Sequence, residues 1–180
     1  MNIKWAIKVA LTVVVILWGI QALNWFLPLD LRQFGIRPHS LQGLVGIACA
    51  PFLHGNLQHL VANSSALLVL LTAALAYSRK LAFPALATIV GLGGLLVWVF
   101  GSAEATHIGA SGVVFGLIGY LLLVGFFRRE WLALAISAAV LLLYGGTLMS
   151  LLKVVPGVSW SSHFFGFLAG VLAAWLTKTK

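Results

Sequence analysis

The chain has 180 residues, 62% of them apolar and only 8% charged, against roughly 45–50% and about 25% in an ordinary soluble domain. Its eleven basic and three acidic side chains cannot clothe a water-soluble surface, and its single cysteine, Cys49, excludes an intrachain disulfide framework and any zinc ribbon built on Cys pairs. The net charge of +8 does not point to nucleic acid, because Arg79-Lys80, Arg128-Arg129 and Lys178 with Lys180 stand as pairs between apolar runs and not along one face.

A helix crosses a bilayer core in ~20 residues. Six apolar runs approach or exceed that length: Trp5 to Leu27, Leu57 to Tyr77, Leu81 to Phe100, Ser111 to Phe127, Trp131 to Leu152 and Ser159 to Leu176. Residues 1–180 are therefore expected to form a single all-α, polytopic membrane domain with no room for a soluble one. The first run has the basic start of a signal peptide, but its length exceeds the ~7–15 residues of a signal core, so it is expected to remain as a span. With the N-terminus inside, the cytoplasmic segments collect Lys4, Lys8, Arg79, Lys80, Arg128, Arg129, Lys178 and Lys180, while the outer loops hold Arg32, Arg37 and Lys153. That asymmetry puts both termini in the cytoplasm. The longest connection, about Pro28 to Asn56, then lies outside, and its mixture of Asp30, Arg32 and Arg37 with apolar pieces such as Gly43 to Ala50 suits the lipid interface.

Polar groups inside hydrocarbon are costly and call for a reason. The second span carries Gln58, His59, Asn63, Ser64 and Ser65, the fourth opens on Ser111, and the sixth opens on Ser159-Trp160-Ser161-Ser162-His163. All three spans run from outside to inside, so His59, Asn63, Ser111 and His163 share a layer on the order of 10 Å deep below the outer boundary.

Ser111, in Gly109-Ala110-Ser111-Gly112, stands where loop becomes helix. Helix N-termini offer unpaired amides and a positive dipole end, so a serine there has oxyanion donors beside it. Taken alone, it reads first as a helix cap next to small packing residues. The pattern is not the Gly-x-Ser-x-Gly elbow of α/β-hydrolases, since Val113 takes the last glycine's place. His163 is the candidate base, because burial keeps an imidazole neutral and able to accept a proton, although a lone histidine also serves as a structural hydrogen bonder. Gly166 and Gly170 follow at i+3 and i+7 on the same face. That face can press against Gly112 and Gly116 and bring His163 towards Ser111, and close packing alone also accounts for these glycines.

Asp30, Glu104 and Glu130 lie outside the spans, so a Ser-His dyad without a carboxylate is the economical constellation. Lys153, the alternative base, stands in an outer loop with nothing to desolvate it. His59 and Asn63, at i and i+4, share one helix face; aimed at the same point as the Ser111 amide they complete an oxyanion hole, and otherwise they are interhelical glue. His54 and His59 are five apart, about 140° round a helix, with no carboxylate or cysteine to join them, so no metal is expected. His39 and His107 fall in outer loops and receive no role.

Pro51-Phe52-Leu53-His54-Gly55-Asn56-Leu57-Gln58-His59-Leu60-Val61-Ala62-Asn63 resembles the second-span signature of the rhomboid family of intramembrane serine proteases. Gly109-Ala110-Ser111-Gly112 resembles its Gly-x-Ser-Gly nucleophile motif, and His163 with Gly166 and Gly170 its sixth-span histidine and GxxxG. The resemblance runs from Gly35 to Gly170 and implies a six-transmembrane rhomboid-like bundle. It implies Ser111 as nucleophile, His163 as general base, His59, Asn63 and the Ser111 amide as oxyanion hole, and His54 as structural support. Phe115 matches an aromatic position that packs on the catalytic histidine, here without the common Tyr hydroxyl, and the first-loop Trp-Arg pair of many members is not evident.

The resemblance further implies cleavage of single-span membrane proteins near the outer end of the substrate helix, at small residues in locally unstable helix, with entry between the second and fifth spans. No cofactor is expected, and the spread of the basic pairs gives no reason to expect a nucleic-acid partner. The expected setting is the lipid of a bacterial inner (plasma) membrane, with the site opening to the extracytoplasmic side. Two rivals stand beside this reading. One is a polytopic channel or carrier, disfavoured by the nearly all-apolar inner halves of the second, fourth and sixth spans. The other is an inactive rhomboid-like protein that binds membrane clients.

Overall fold

The computed structural model describes residues 2–153 and 158–177; Lys178 and Lys180, counted above among the cytoplasmic charges, lie outside the described residues. Seven α-helices are found among the described residues: α1 (Ile3–Phe26), α2 (Gly46–Cys49), α3 (Leu57–Tyr77), α4 (Arg79–Phe100), α5 (Ser111–Arg128), α6 (Trp131–Leu148) and α7 (Trp160–Leu176). Their only β-type pairing is one antiparallel bridge, Ile36 to His107. Five helices are long and apolar enough to cross a membrane: α1, α3, α4, α5, and α6 with the 3₁₀ turn that continues it to Leu152. The sixth expected run is α7, apolar but only 17 residues long.

The helix ends depart from the expected ones for local reasons. α1 starts at Ile3 because the Asn2 side chain accepts a hydrogen bond from the Trp5 amide at 3.1 Å. Arg79-Lys80, expected to separate two spans, instead forms the first turn of α4, where the Arg79 guanidinium lies 5.1 Å from the Trp5 ring centroid. The fifth run loses its α-helical character at Leu148, just after Gly145-Gly146, and tightens into the 3₁₀ turn Met149–Leu152. The Pro28 to Asn56 connection is folded into short pieces: 3₁₀ turns at Leu31–Phe34, Leu41–Leu44 and Ala50–Phe52, with α2 between the last two.

α5 is the central helix, with 67% of its span buried, against 11% for the fifth run. It meets α7 backbone to backbone. A Cβ at Gly166 would overlap the Gly112 carbonyl, and one at Gly170 would overlap the Gly116 carbonyl. Lipid tails supply no hydrophobic drive between helices, so this closeness, which only small residues permit, maximises dispersion contacts. At the other end of the bundle Arg128 holds Glu130 (Nη2 to Oε1, 2.6 Å) and donates to the Thr177 carbonyl, while the Tyr77 hydroxyl donates to Glu130 at 2.8 Å. The Arg128 and Tyr77 hydrogen bonds hold the Glu130 carboxyl below its ordinary range.

Candidate active site

The loop before α5 decides where Ser111 sits. The Ile36 and His107 backbones exchange two 2.9 Å hydrogen bonds, and the Gly109 amide donates to the Ala50 carbonyl at 2.8 Å. Gly109 has φ +111°, and a Cβ there would run into the His59 ring. A glycine is thus required twice, for the backbone conformation and for the space. The chain then enters α5 with Ala110 at the cap position, so Ser111 is the first helical residue and not the cap. Its hydroxyl makes no capping hydrogen bond, and the Ser111, Gly112 and Val113 amides have no backbone acceptor among the described residues. These are the orphan donors that a helix start offers to an anion.

α3 brings His59 and Asn63 up to this loop. The helix is capped by Asn56, whose side chain accepts from the His59 amide at 2.8 Å. The Asn63 amide nitrogen lies 3.0 Å from Nε2 of the fully buried His54. An amide NH₂ only donates, so His54 Nε2 is the acceptor, and one Asn63 N–H is used while the second stays available. His54 sits outside α3, in van der Waals contact with His59 (ring centroids 5.1 Å apart), and burial together with His59 pushes its imidazole down to about 4. Its carbonyl is covered by Gln21 of α1, which, with its amide turned to satisfy both ends, donates to it at 3.0 Å and accepts from Trp25 Nε1 at 2.9 Å.

α7 carries His163 in its first turn, with Ser159 as cap: the Ser159 hydroxyl accepts from the Ser162 amide. The His163 ring lies flat on Phe115, centroids 4.2 Å apart and planes 15° from parallel. Gly166 against Gly112 sets the spacing between the two helices one turn further in. His59, Asn63, Ser111, Phe115 and His163 all line one cavity of about 1310 Å³. The Ser111 hydroxyl and the His163 imidazole make no hydrogen bond to each other or to another described side chain. No carboxylate lines the cavity: Asp30 pairs with Arg32, Glu130 with Arg128, and Glu104 is exposed. Lys153 is exposed and away from it.

Two participants escaped the reading of the sequence. Gln21 is a buried polar group in the first span, while attention goes to the second, fourth and sixth. His107 is buried, and its Nδ1 lies 2.6 Å from the Ser159 hydroxyl, which in turn lies 2.6 Å from that of Ser162. The partners are 52 residues apart, so no local pattern announces them.

An all-helical, apolar chain with several membrane-length helices and polar side chains gathered at one cavity is an integral membrane protein. Residues 42–180 match the Rhomboid domain, and the chain belongs to the rhomboid family. It is 39% identical over 176 residues to an uncharacterised protein of Mycobacterium tuberculosis, covering 92% of this chain and 72% of that one. It is 29% identical over 130 residues to YdcA of Bacillus subtilis, named as a candidate rhomboid protease (71% and 64% covered). It is 33% identical over 132 residues to RHOMBOID-like protein 5 of Arabidopsis thaliana (69% and 40% covered). No solved structure gives a significant match.

Proposed function

We propose that this chain is an intramembrane serine endopeptidase that cleaves single-span membrane proteins through a Ser111–His163 dyad, in a six-span bundle with both termini in the cytoplasm and the cavity facing the extracytoplasmic side. The observation that carries the reading is the arrival of Ser111, His163, His59 and Asn63, from three helices, at one cavity. Ser111 Oγ attacks the scissile carbonyl carbon as His163 takes its proton. The oxyanion is met by the Ser111 amide, the free N–H of Asn63 and His59. His163 then returns the proton to the leaving amine, the acyl-enzyme forms, and water releases it by the same path in reverse. Catalytic hydrogen bonds are often long before substrate binds, which accommodates the unbonded Ser111 and His163. A peptide bond must leave its helical hydrogen bonds before a serine reaches it, so helix-weakening small residues near the outer end of a span are the substrate feature that fits.

The same unbonded pair favours one second reading, a family member that binds membrane clients without hydrolysing them. Purified protein in detergent, treated with a fluorophosphonate probe and mapped for the adduct, separates the two. Labelling of Ser111 that vanishes in His163→Ala is the result expected of the protease. Well-folded protein that takes no label leaves the client-binding reading standing.

A further inference from the structure

We propose that His107 is a positioning residue for the dyad, linking the loop that delivers Ser111 to the cap of the helix that carries His163; the inference rests on the protease reading of that cavity. Four groups form a chain of a single polarity. His107 Nε2 lies 3.4 Å from the Ser102 carbonyl, which can only accept, so Nε2 bears the hydrogen and Nδ1 is the acceptor. The Ser159 hydroxyl therefore donates to Nδ1 at 2.6 Å, and is left to accept from the Ser162 hydroxyl at 2.6 Å and the Ser162 amide at 3.3 Å. The reverse polarity, with Nδ1 donating to Ser159, would set the bare Nε2 lone pair against the Ser102 carbonyl, two acceptors face to face.

Both ends of this chain bear on the proposed reacting groups. His107 stands four residues before Ser111, its backbone bolted to Ile36. Ser159 caps α7, its carbonyl accepts from the His163 amide at 3.3 Å, and the Ser162 carbonyl packs on Gly112, the residue after Ser111. Gly166 on Gly112 fixes the two helices one turn deeper. The outer ends have no such glycine lock, and the His107–Ser159 bond supplies the tie there. Burial holds the His107 imidazole below its ordinary range, against the pull of the Ser102 carbonyl, which keeps it in the neutral form this polarity needs.

The test is the rate constant of fluorophosphonate labelling at Ser111, per folded molecule, in the full chain in detergent. His107→Leu is expected to slow labelling and kcat on the order of ten- to a hundred-fold, the cost of a small misplacement of a reacting group, with KM for a single-span substrate unchanged. His107→Asn, whose Oδ1 can accept from Ser159, is expected to recover most of the rate. Ser159→Ala is expected to slow it as His107→Leu does, and the double variant no further than either single one.

A purely structural histidine would lower the melting temperature and the labelled fraction but leave the rate constant of the folded molecules alone, and that result, or additive losses in the double variant, overturns the proposal. If His107→Leu does not fold, Ser159→Ala decides against wild type: a slowed rate supports the link and an unchanged one overturns it. Wild-type protein that never labels refutes the protease reading itself and this inference with it, an outcome distinct from a labelled wild type with an indifferent His107→Leu.

Discussion

The imidazole of His163 rests face to face on the ring of Phe115, 4.2 Å between centroids, and that aromatic surface is what holds its plane in the cavity. A stacked pair of this kind is worth ~0.5–1.5 kcal/mol beyond its buried area. Phe115→Ala is therefore expected to lower turnover by up to about tenfold through a freer His163, whereas Phe115→Tyr, which keeps the face, holds wild-type rates. Initial rates of cleavage of a single-span substrate in proteoliposomes check both.

In the proposed mechanism, losing either member of the Ser111–His163 dyad leaves no route for the proton or the acyl group. Ser111→Ala and His163→Ala are each expected to abolish turnover, with Ser111→Ala also losing the probe adduct. Asn63→Ala removes one donor while the Ser111 amide and His59 remain, so its loss is expected at ~10²–10³-fold in kcat. Turnover persisting in Ser111→Ala would sink the assignment.

Gly109 combines φ +111° with a Cβ position inside the His59 ring. Gly109→Ala has to pay backbone strain of ~1–3 kcal/mol and also push His59 aside. The expected phenotype is protein of native helical content by circular dichroism, a lower melting temperature, and turnover reduced at least as much as in His59→Ala.

His54 gives the fold a pH dependence of known sign. Its imidazole titrates at about 4 when folded, because of burial first and His59 second, against an ordinary value of 6.5. Between those values the unfolded chain binds the extra proton, so stability rises with pH there; the contribution is complete above pH 6.5 and gone below about 4. Its size is on the order of 3 kcal/mol. Thermal melts in detergent from pH 4 to 7 are expected to show a steeper fall on acidification for wild type than for His54→Gln, whose side-chain oxygen can still accept from Asn63.

Much of this architecture is legible in the chain because hydrophobic length is a strong signal. Leu57–Tyr77 begins and ends where the apolar run does, since Asn56 caps it and Ser78 stops it. Arg79 and Lys80 mislead because a first helical turn at an interface tolerates charge, and its packing against Trp5 is a tertiary fact. The pieces between Pro28 and Asn56 are three or four residues long, too short for any period to show. In the site, residues carried by short motifs, such as Gly109 to Gly112, are readable, while the bond from His107 to Ser159 depends on where two distant loops meet.

Gln21 and Trp18 lie in a helix that precedes the region matched to the Rhomboid domain, yet Gln21 reaches the His54 carbonyl and the Trp18 indole donates to Ser64 at 3.2 Å. The first helix is therefore part of the packing behind the cavity, through its contacts with His54 and Ser64. Were it stripped away, a carbonyl and a hydroxyl would be laid bare to hydrocarbon that has nothing to offer them, and the histidine behind Asn63 would lose the shelter that keeps it uncharged.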